Sequence, residues 1–392
     1  MAAFAGTMGG ADFYARKQAM VDGSLFRLGP FYVQPALTLN DMGYYSNIYY
    51  YDDEEVDDFV ADLGLDLTLS SILGDRFIFV LQDNPFYSFY ADNKQEEAWN
   101  NRFSATVLTH LGPFHLDYTF RWDHLRQRAT SEFGRRTRYE VRSQALSLDF
   151  GRHDRFFATA RAEWSIRSFD ESAYLEDFDL QSLLDREEFT AGLRLTRRIF
   201  SRTRLFVDAG YFRHRFDRSG ERNGEGEQVS AGLVFPQDSP LSGQFELGYR
   251  FTHPDNPDYD DYGAPFGRGE VSLRLARRLR FRLNYLWDNV FSFYQPDQYF
   301  DEQSLGGGVE LYLTRGLKIG LRHQAGDLVY RSFTDGAETR RERVRQTAVG
   351  FTVRIFRKMG LGIEYVVYRA DSDLAGRDRS YDFIGGNITY DF

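Results

Sequence analysis

Hydrolytic chemistry needs a nucleophile, a base and an orienting group within hydrogen-bond reach of one another. The chain carries seven histidines, His110, His115, His124, His153, His214, His253 and His323, and they fall in different segments. No G-x-S-x-G elbow, the strained turn that presents a hydrolase serine, occurs. The best local cluster is His124 with Asp123 and Ser131, and it reads as a polar rim rather than a catalytic site. There is no cysteine, so thiol catalysis, disulfides and cysteine-held zinc are excluded. No G-x-x-x-x-G-K-[ST] phosphate loop is present. The sequence therefore predicts no enzyme and no cofactor, with an outer-membrane hydrolase as the remote alternative.

Oxygen-rich clusters occur twice, at Asp52, Asp53, Glu54, Glu55, Asp57 and Asp58, and at Asp255, Asp258, Asp260 and Asp261. Such loops can hold Ca²⁺, and the second has Asn256 and Gly263 beside it. Neither has EF-hand spacing, so a solvated loop is the plainer reading and the metal is left open.

The larger set of charges sits inside alternating runs. Leu279, Phe281, Leu283, Tyr285 and Trp287 alternate with Arg280, Arg282, Asn284 and Leu286. Phe114, Leu116, Tyr118, Phe120 and Trp122 alternate with His115, Asp117, Thr119 and Arg121. Period two is the signature of strands with unlike faces. By parity, Arg121, Arg161, Arg194, Arg250, Arg274, Arg282, Arg322 and Arg354 share the polar face. So do Asp66, Asp117, Glu188, Asp208, Glu246, Glu310 and Glu364. In a water-filled lumen these charges would line a pore or pair across neighbouring strands. Inward aromatics, among them Phe206, Phe212, Tyr312 and Tyr368, could stack on sugars or simply fill space.

Composition points the same way. Aromatic residues reach 17%, yet mean hydropathy is −0.50. No run of about 18 apolar residues exists to form a spanning helix. A net charge of −10 argues against nucleic acid as a partner. Short connections alternate with long ones, as in outer-membrane barrels with tight periplasmic turns. The runs predict an all-β, antiparallel, up-and-down transmembrane β-barrel of about 18 strands, or about 16 if runs are miscounted. The barrel is expected over residues 31–392, after a segment 1–30 lying in the periplasm or the lumen mouth. Trp122, Trp164, Tyr211, Trp287, Tyr299 and Tyr365 fit interfacial girdles. The first twenty residues have neither a basic n-region nor an apolar h-region, so the chain reads as beginning near a mature N-terminus.

The last run places Ile384, Gly386, Ile388, Tyr390 and Phe392 on one face. It resembles the C-terminal signal of bacterial outer-membrane proteins. The resemblance implies that Ile388, Tyr390 and Phe392 are read by the barrel-assembly machinery. Gly29-Pro30-Phe31, Pro35-Ala36-Leu37 and Gly43 to Tyr49 resemble the opening strand of β-barrel porins of Gram-negative bacteria, some encoded with exopolysaccharide export systems. That implies a pore or conduit for polar solutes, with polysaccharide or a periplasmic export partner, surrounded by outer-membrane lipid and lipopolysaccharide. The alternative is a closed structural or adhesive barrel acting through its outer loops, with the Asp170–Leu184 connection as its plug.

Overall fold

The computed structural model describes residues 10–50, 55–128, 132, 134, 136–152, 155–170, 174–175, 178–200, 202–237, 239–276, 278–292, 299–332, 338–356 and 358–392. Eighteen long strands form the wall. They are β1 (Phe31–Tyr45), β2 (Asp58–Leu73), β3 (Phe77–Tyr90), β4 (Ala98–Leu111), β5 (Phe114–Gln127) and β6 (Thr137–Arg152). Next come β7 (Phe156–Phe169), β8 (Arg186–Arg198), β9 (Arg204–Phe216), β10 (Gly224–Phe235), β11 (Leu241–Pro254) and β12 (Tyr262–Leu275). The last are β13 (Leu279–Phe291), β14 (Tyr299–Tyr312), β15 (Leu317–Arg331), β16 (Glu338–Ile355), β17 (Met359–Ser372) and β18 (Arg379–Asp391). Each pairs antiparallel with its neighbours in sequence, and β18 closes on β1 through Leu37↔Tyr390 and Tyr45↔Phe383. Closure leaves no unpaired edge, which a sheet in hydrocarbon could not tolerate.

The apolar residues point outward. Leu63, Leu193, Val207, Leu283, Leu305, Leu321, Val349, Ile363 and Ile384 are all exposed, each in the middle of a strand. In water so large an apolar surface would drive association; in lipid it is the solvated surface. Tight turns close one end of the barrel. Gly74 and Gly112 sit there at φ +61 and +68, the left-handed region that glycine enters without steric cost.

Near the other end four outward tyrosines mark an interface. Tyr87 donates to Glu97 at 2.7 Å, Tyr211 to Glu225 at 2.6 Å and Tyr365 to Asp382 at 3.0 Å, and Tyr44 donates to Asp57. Each ring faces outward while its hydroxyl meets a carboxylate, as expected where hydrocarbon gives way to headgroups. Tyr299 departs from the expected girdle. It is buried and stacked on Tyr262, with centroids 5.0 Å apart.

Before the barrel lie helix α1 (Gly10–Gly23) and a short strand Phe26–Leu28 that hairpins onto β1. Phe13 packs on Ile78 and Leu108, which lie on the face opposite the exposed Phe77 and Leu111. Lys17 pairs with Asp75 in the β2–β3 turn. These contacts place α1 at the tight-turn end, against the inner face of β3 and β4.

Candidate pore and its occluded mouth

The inner face differs from one side of the barrel to the other. From β7 to β12 charged side chains interlock. Asp208 on β9 takes Arg161 from β7 and, at 2.8 Å, Arg194 from β8. Arg194 also reaches Glu246 on β11 at 3.6 Å. Glu246 in turn accepts from Ser230 at 2.6 Å and Arg268 at 3.0 Å. Arg194 lies over the Phe206 ring at 3.9 Å, and Arg250 lies near Phe212 and Phe266. Adjacent strands in antiparallel register set these residues side by side: Arg194↔Asp208 is a direct pair. Opposite charges at contact, each with further hydrogen bonds, make this wall dense and water-poor.

From β14 to β17 the wall is lined differently. Gly306, Gly308, Gly320, Gly326 and Gly350 take inward positions, alternating with the outward Leu305, Leu321 and Val349. Missing side chains leave room. One cavity, of about 260 Å³, is bordered by Gly306, Gly308 and Gly320 with Arg282, Glu310 and Lys318. Arg282 and Lys318 both reach Glu310, at 3.2 and 3.1 Å. Arg322 pairs with Glu364. A second cavity, of about 310 Å³, lies next along the wall. Both are lined by Gln324 and Gln346, so the two abut. Nothing in a glycine's place in the sequence reveals what space it leaves in the assembled wall.

The mouth at the long-loop end is crossed by side chains from opposite walls. Glu132, in the β5–β6 connection, is almost fully buried. It accepts from Ser292, just after β13, at 2.7 Å, and lies 3.8 Å from Arg340 on β16. Arg340 also pairs with Glu342 at 3.1 Å, and Arg379 on β18 pairs with the same carboxylate. Arg128, from the same connection as Glu132, lies over the Tyr50 ring at 3.4 Å and donates to the Ile48 carbonyl at 2.6 Å. Helix α2 (Leu180–Leu184) in the β7–β8 connection buries Leu180, Leu183 and Leu184. Arg222, between β9 and β10, donates to the Leu183 carbonyl at 2.9 Å and to that of Ser292. Burial, helped by Arg186, pushes Arg222 down to about 10, so it stays charged at neutral pH.

Asp185, at the end of α2, gives this closure a pH dependence. Burial raises it to about 6, with the Phe169 N–H and Arg218 opposing and Asp217 and Asp179 adding. It accepts the Phe169 N–H at 2.6 Å. A carboxyl with a raised pKa in the ordered state favours that state most below the raised value, and loses the advantage as pH rises through it. The α2 closure should therefore be firmer at pH 5 than at pH 8. Amide exchange at Asp185, whose own N–H donates to the Gln181 carbonyl, should slow on acidification after correction for intrinsic rates, and Asp185→Asn should abolish the difference.

The remaining expected residues are accounted for as follows. Arg121, Asp117, Asp66, Glu188, Arg274 and Arg354 lie on the inner face, Asp66 accepting from Asn84 at 2.7 Å and Glu188 pairing with Arg186 at 2.9 Å. Asp117 accepts from Thr119, and Arg250 lies 3.4 Å from Asp288. Asp123 and His124 are consecutive on β5 and point to opposite faces, so they form no joint site; Ser131 lies outside the described residues, as do Asp52, Asp53 and Glu54. Asp255, Asp258, Asp260 and Asp261 are not drawn together. Asp261 pairs with His253 at 3.0 Å, and among the described residues no group of three or more acidic or histidine side chains is arranged to hold a metal. Ile388, Tyr390 and Phe392 lie on the outer face of the closing strand, with Tyr390 edge-on to Phe392. The crossing of the mouth by the β5–β6 connection was not legible; its only trace was the charge of Arg128, Glu132 and Arg136.

A closed eighteen-stranded barrel with an apolar exterior, tyrosines at its rim and a charged interior is a bacterial outer-membrane protein of the porin type. The chain belongs to the family described as "Putative beta-barrel porin 2", whose model matches residues 24–392. No curated protein matches it. Among solved structures it resembles OpdK of Pseudomonas aeruginosa with vanillate, at 14% identity and a TM-score of 0.51, covering 92% of this chain and 98% of that one. It also resembles OccK2 of the same organism in complex with glucuronate, at 13% identity and a TM-score of 0.53, covering 93% and 98%. A BenF-like porin from Pseudomonas fluorescens Pf-5 shares 12% identity with a TM-score of 0.53, covering 93% and 99%. At these identities the likeness is one of fold.

Proposed function

We propose that the protein is a narrow, loop-gated pore for single small polar solutes, which pass along the glycine-lined wall from β14 to β17. The observation that carries this is the pair of abutting cavities sharing Gln324 and Gln346, while the β7–β12 wall is filled by its own ion pairs. Their volumes suit one small molecule at a time. That vanillate and glucuronate, each a single small ring, are held by barrels of this fold supports the size class. A polymer conduit would need a wider passage than an occluded mouth and two small cavities provide, so solute passage is favoured over exopolysaccharide export. Lipid and lipopolysaccharide surround the barrel in this reading, and Ile388, Tyr390 and Phe392 would be offered to the assembly machinery on the outer face of β18.

The lower route carries excess positive charge. Arg274, Arg280, Arg282, Lys318, Arg322 and Arg354 face Glu270, Glu310 and Glu364 on the inner side of β12–β17. With Arg268 and Arg340 against Asp288, Glu302 and Glu342 further up, the described inner face of these strands carries eight cations to six carboxylates, so ionic current should lean toward anions. Gly320 tests the route itself. A Cβ added there meets nothing nearer than Glu310 Cγ at 4.0 Å, so Gly320→Phe should fold normally and project its ring into the passage. We expect wild type to show chloride-over-potassium selectivity in salt gradients, and Gly320→Phe to lose most of the conductance. Unchanged conductance in that variant would place the route elsewhere.

A further inference from the structure

We infer that the upper cavity is a binding site for one neutral pyranose ring; this rests on the pore reading above and names its solute. The cavity, of about 310 Å³, is lined by Tyr50, Tyr368 and Tyr381 together with Arg128, Glu302 and Gln346. The three rings form a triangular cluster, Tyr50 and Tyr368 lying 5.5 Å apart at 37°. Tyr50 and Tyr381 lie 4.2 Å apart at 23°, and Tyr368 and Tyr381 lie 5.1 Å apart at 16°. Tyr381 is buried against the other two and Arg128 lies over Tyr50, so the part-exposed Tyr368 offers the aromatic face that complements the C–H face of a sugar ring. The polar lining is mixed: a guanidinium, a carboxylate and an amide supply donors and acceptors together, as sugar hydroxyls around a ring's edge require. A planar aromatic acid would call for donors alone. Glu302, which makes no ion pair among the described residues, offers an acceptor that a sugar hydroxyl can use and a carboxylate cannot.

The backbone also points to a built site. Tyr50 is held at φ +70, a region that bulky residues seldom adopt. Asn47 Oδ1 accepts the Tyr49 and Tyr50 N–H groups at 3.1 and 3.0 Å, and the Ser380 N–H donates to the Tyr50 carbonyl at 2.6 Å. Arg128 covers one face of the ring. Conformations of this type persist where surrounding contacts enforce them, and they cluster at ligand sites. Gln346 Nε2 reaches the Tyr381 hydroxyl at 3.4 Å and also borders the lower cavity, so a ring leaving the cluster moves on past the same amide.

The test is isothermal titration of the full-length protein in detergent micelles with methyl β-D-glucoside, D-galactose, D-glucuronate and benzoate. Saturable binding of a neutral sugar, weakened at least tenfold by Tyr368→Ala and kept by Tyr368→Phe, is the expected result. Folding of both variants is checked by heat-dependent gel mobility. Binding of benzoate or glucuronate but of neither neutral sugar would overturn the inference. So would neutral-sugar binding that Tyr368→Ala leaves unchanged. Sugar binding by a protein that conducts no ions would sink the pore and leave the site standing; conduction without any sugar binding would do the reverse.

Discussion

Replacing Glu132 by alanine should raise single-channel conductance severalfold. Glu132 is the point at which the β5–β6 connection meets the far wall, accepting from Ser292 and lying beside Arg340. Strands β5 and β14 stand about half the barrel's circumference apart in an eighteen-stranded wall, so this contact spans the mouth rather than following its rim. Removing the carboxylate takes the hydrogen-bond acceptor from Ser292 and one of two nearby carboxylates from Arg340, which keeps Glu342. The wall therefore stays intact while the connection loses its anchor. Glu132→Gln should fall between, since the amide can still accept from Ser292 but no longer attracts Arg340. The same variants should admit larger solutes in a liposome-swelling assay. Equal conductance in wild type and Glu132→Ala would mean that the crossing does not limit flow.

Replacing Asp208 by alanine should cost about 3–5 kcal/mol of stability, the usual penalty for removing one partner from a buried ion pair. Asp208 is 2% exposed and is shared by Arg161 and Arg194. Without it, both guanidiniums lose their contact with this carboxylate, and Arg194 is left with Glu246 at 3.6 Å. Two guanidiniums would then face each other in a water-poor wall. The double variant Asp208→Ala with Arg161→Met should recover much of the loss, because the apolar stem remains and one of two crowded buried cations goes. Urea-driven unfolding in lipid vesicles measures both. A loss under about 1 kcal/mol would show that water reaches the ladder and screens it as it would a surface pair.

The wall was legible in the sequence because period-two alternation is a local signal. Leu279 to Trp287 announces its two faces without reference to any other strand, and closure follows from the need to pair every edge in lipid. The inward charges followed by parity alone. What the sequence withheld depends on contacts between distant segments. Whether Arg194 fills the lumen or lines it depends on Asp208, one strand away, and Glu246, three strands away. Whether the β5–β6 connection hangs outside or folds inward depends on Ser292 and Arg340, about two hundred residues away at the furthest. The buried Tyr299 shows the same limit, since an aromatic near a strand end suits a girdle or a stack equally until Tyr262 is placed beside it. Gly306, Gly308 and Gly320 lie in strands, but the space they leave is a property of the assembled wall.

Single-channel recording of the purified protein in a planar bilayer tests the central claim most directly. The account predicts small, discrete conductance steps that prefer anions, grow in Glu132→Ala and shrink in Gly320→Phe. Stable insertion with no steps in wild type or in Glu132→Ala would contradict it, and would leave a closed barrel whose work is done by its outer loops.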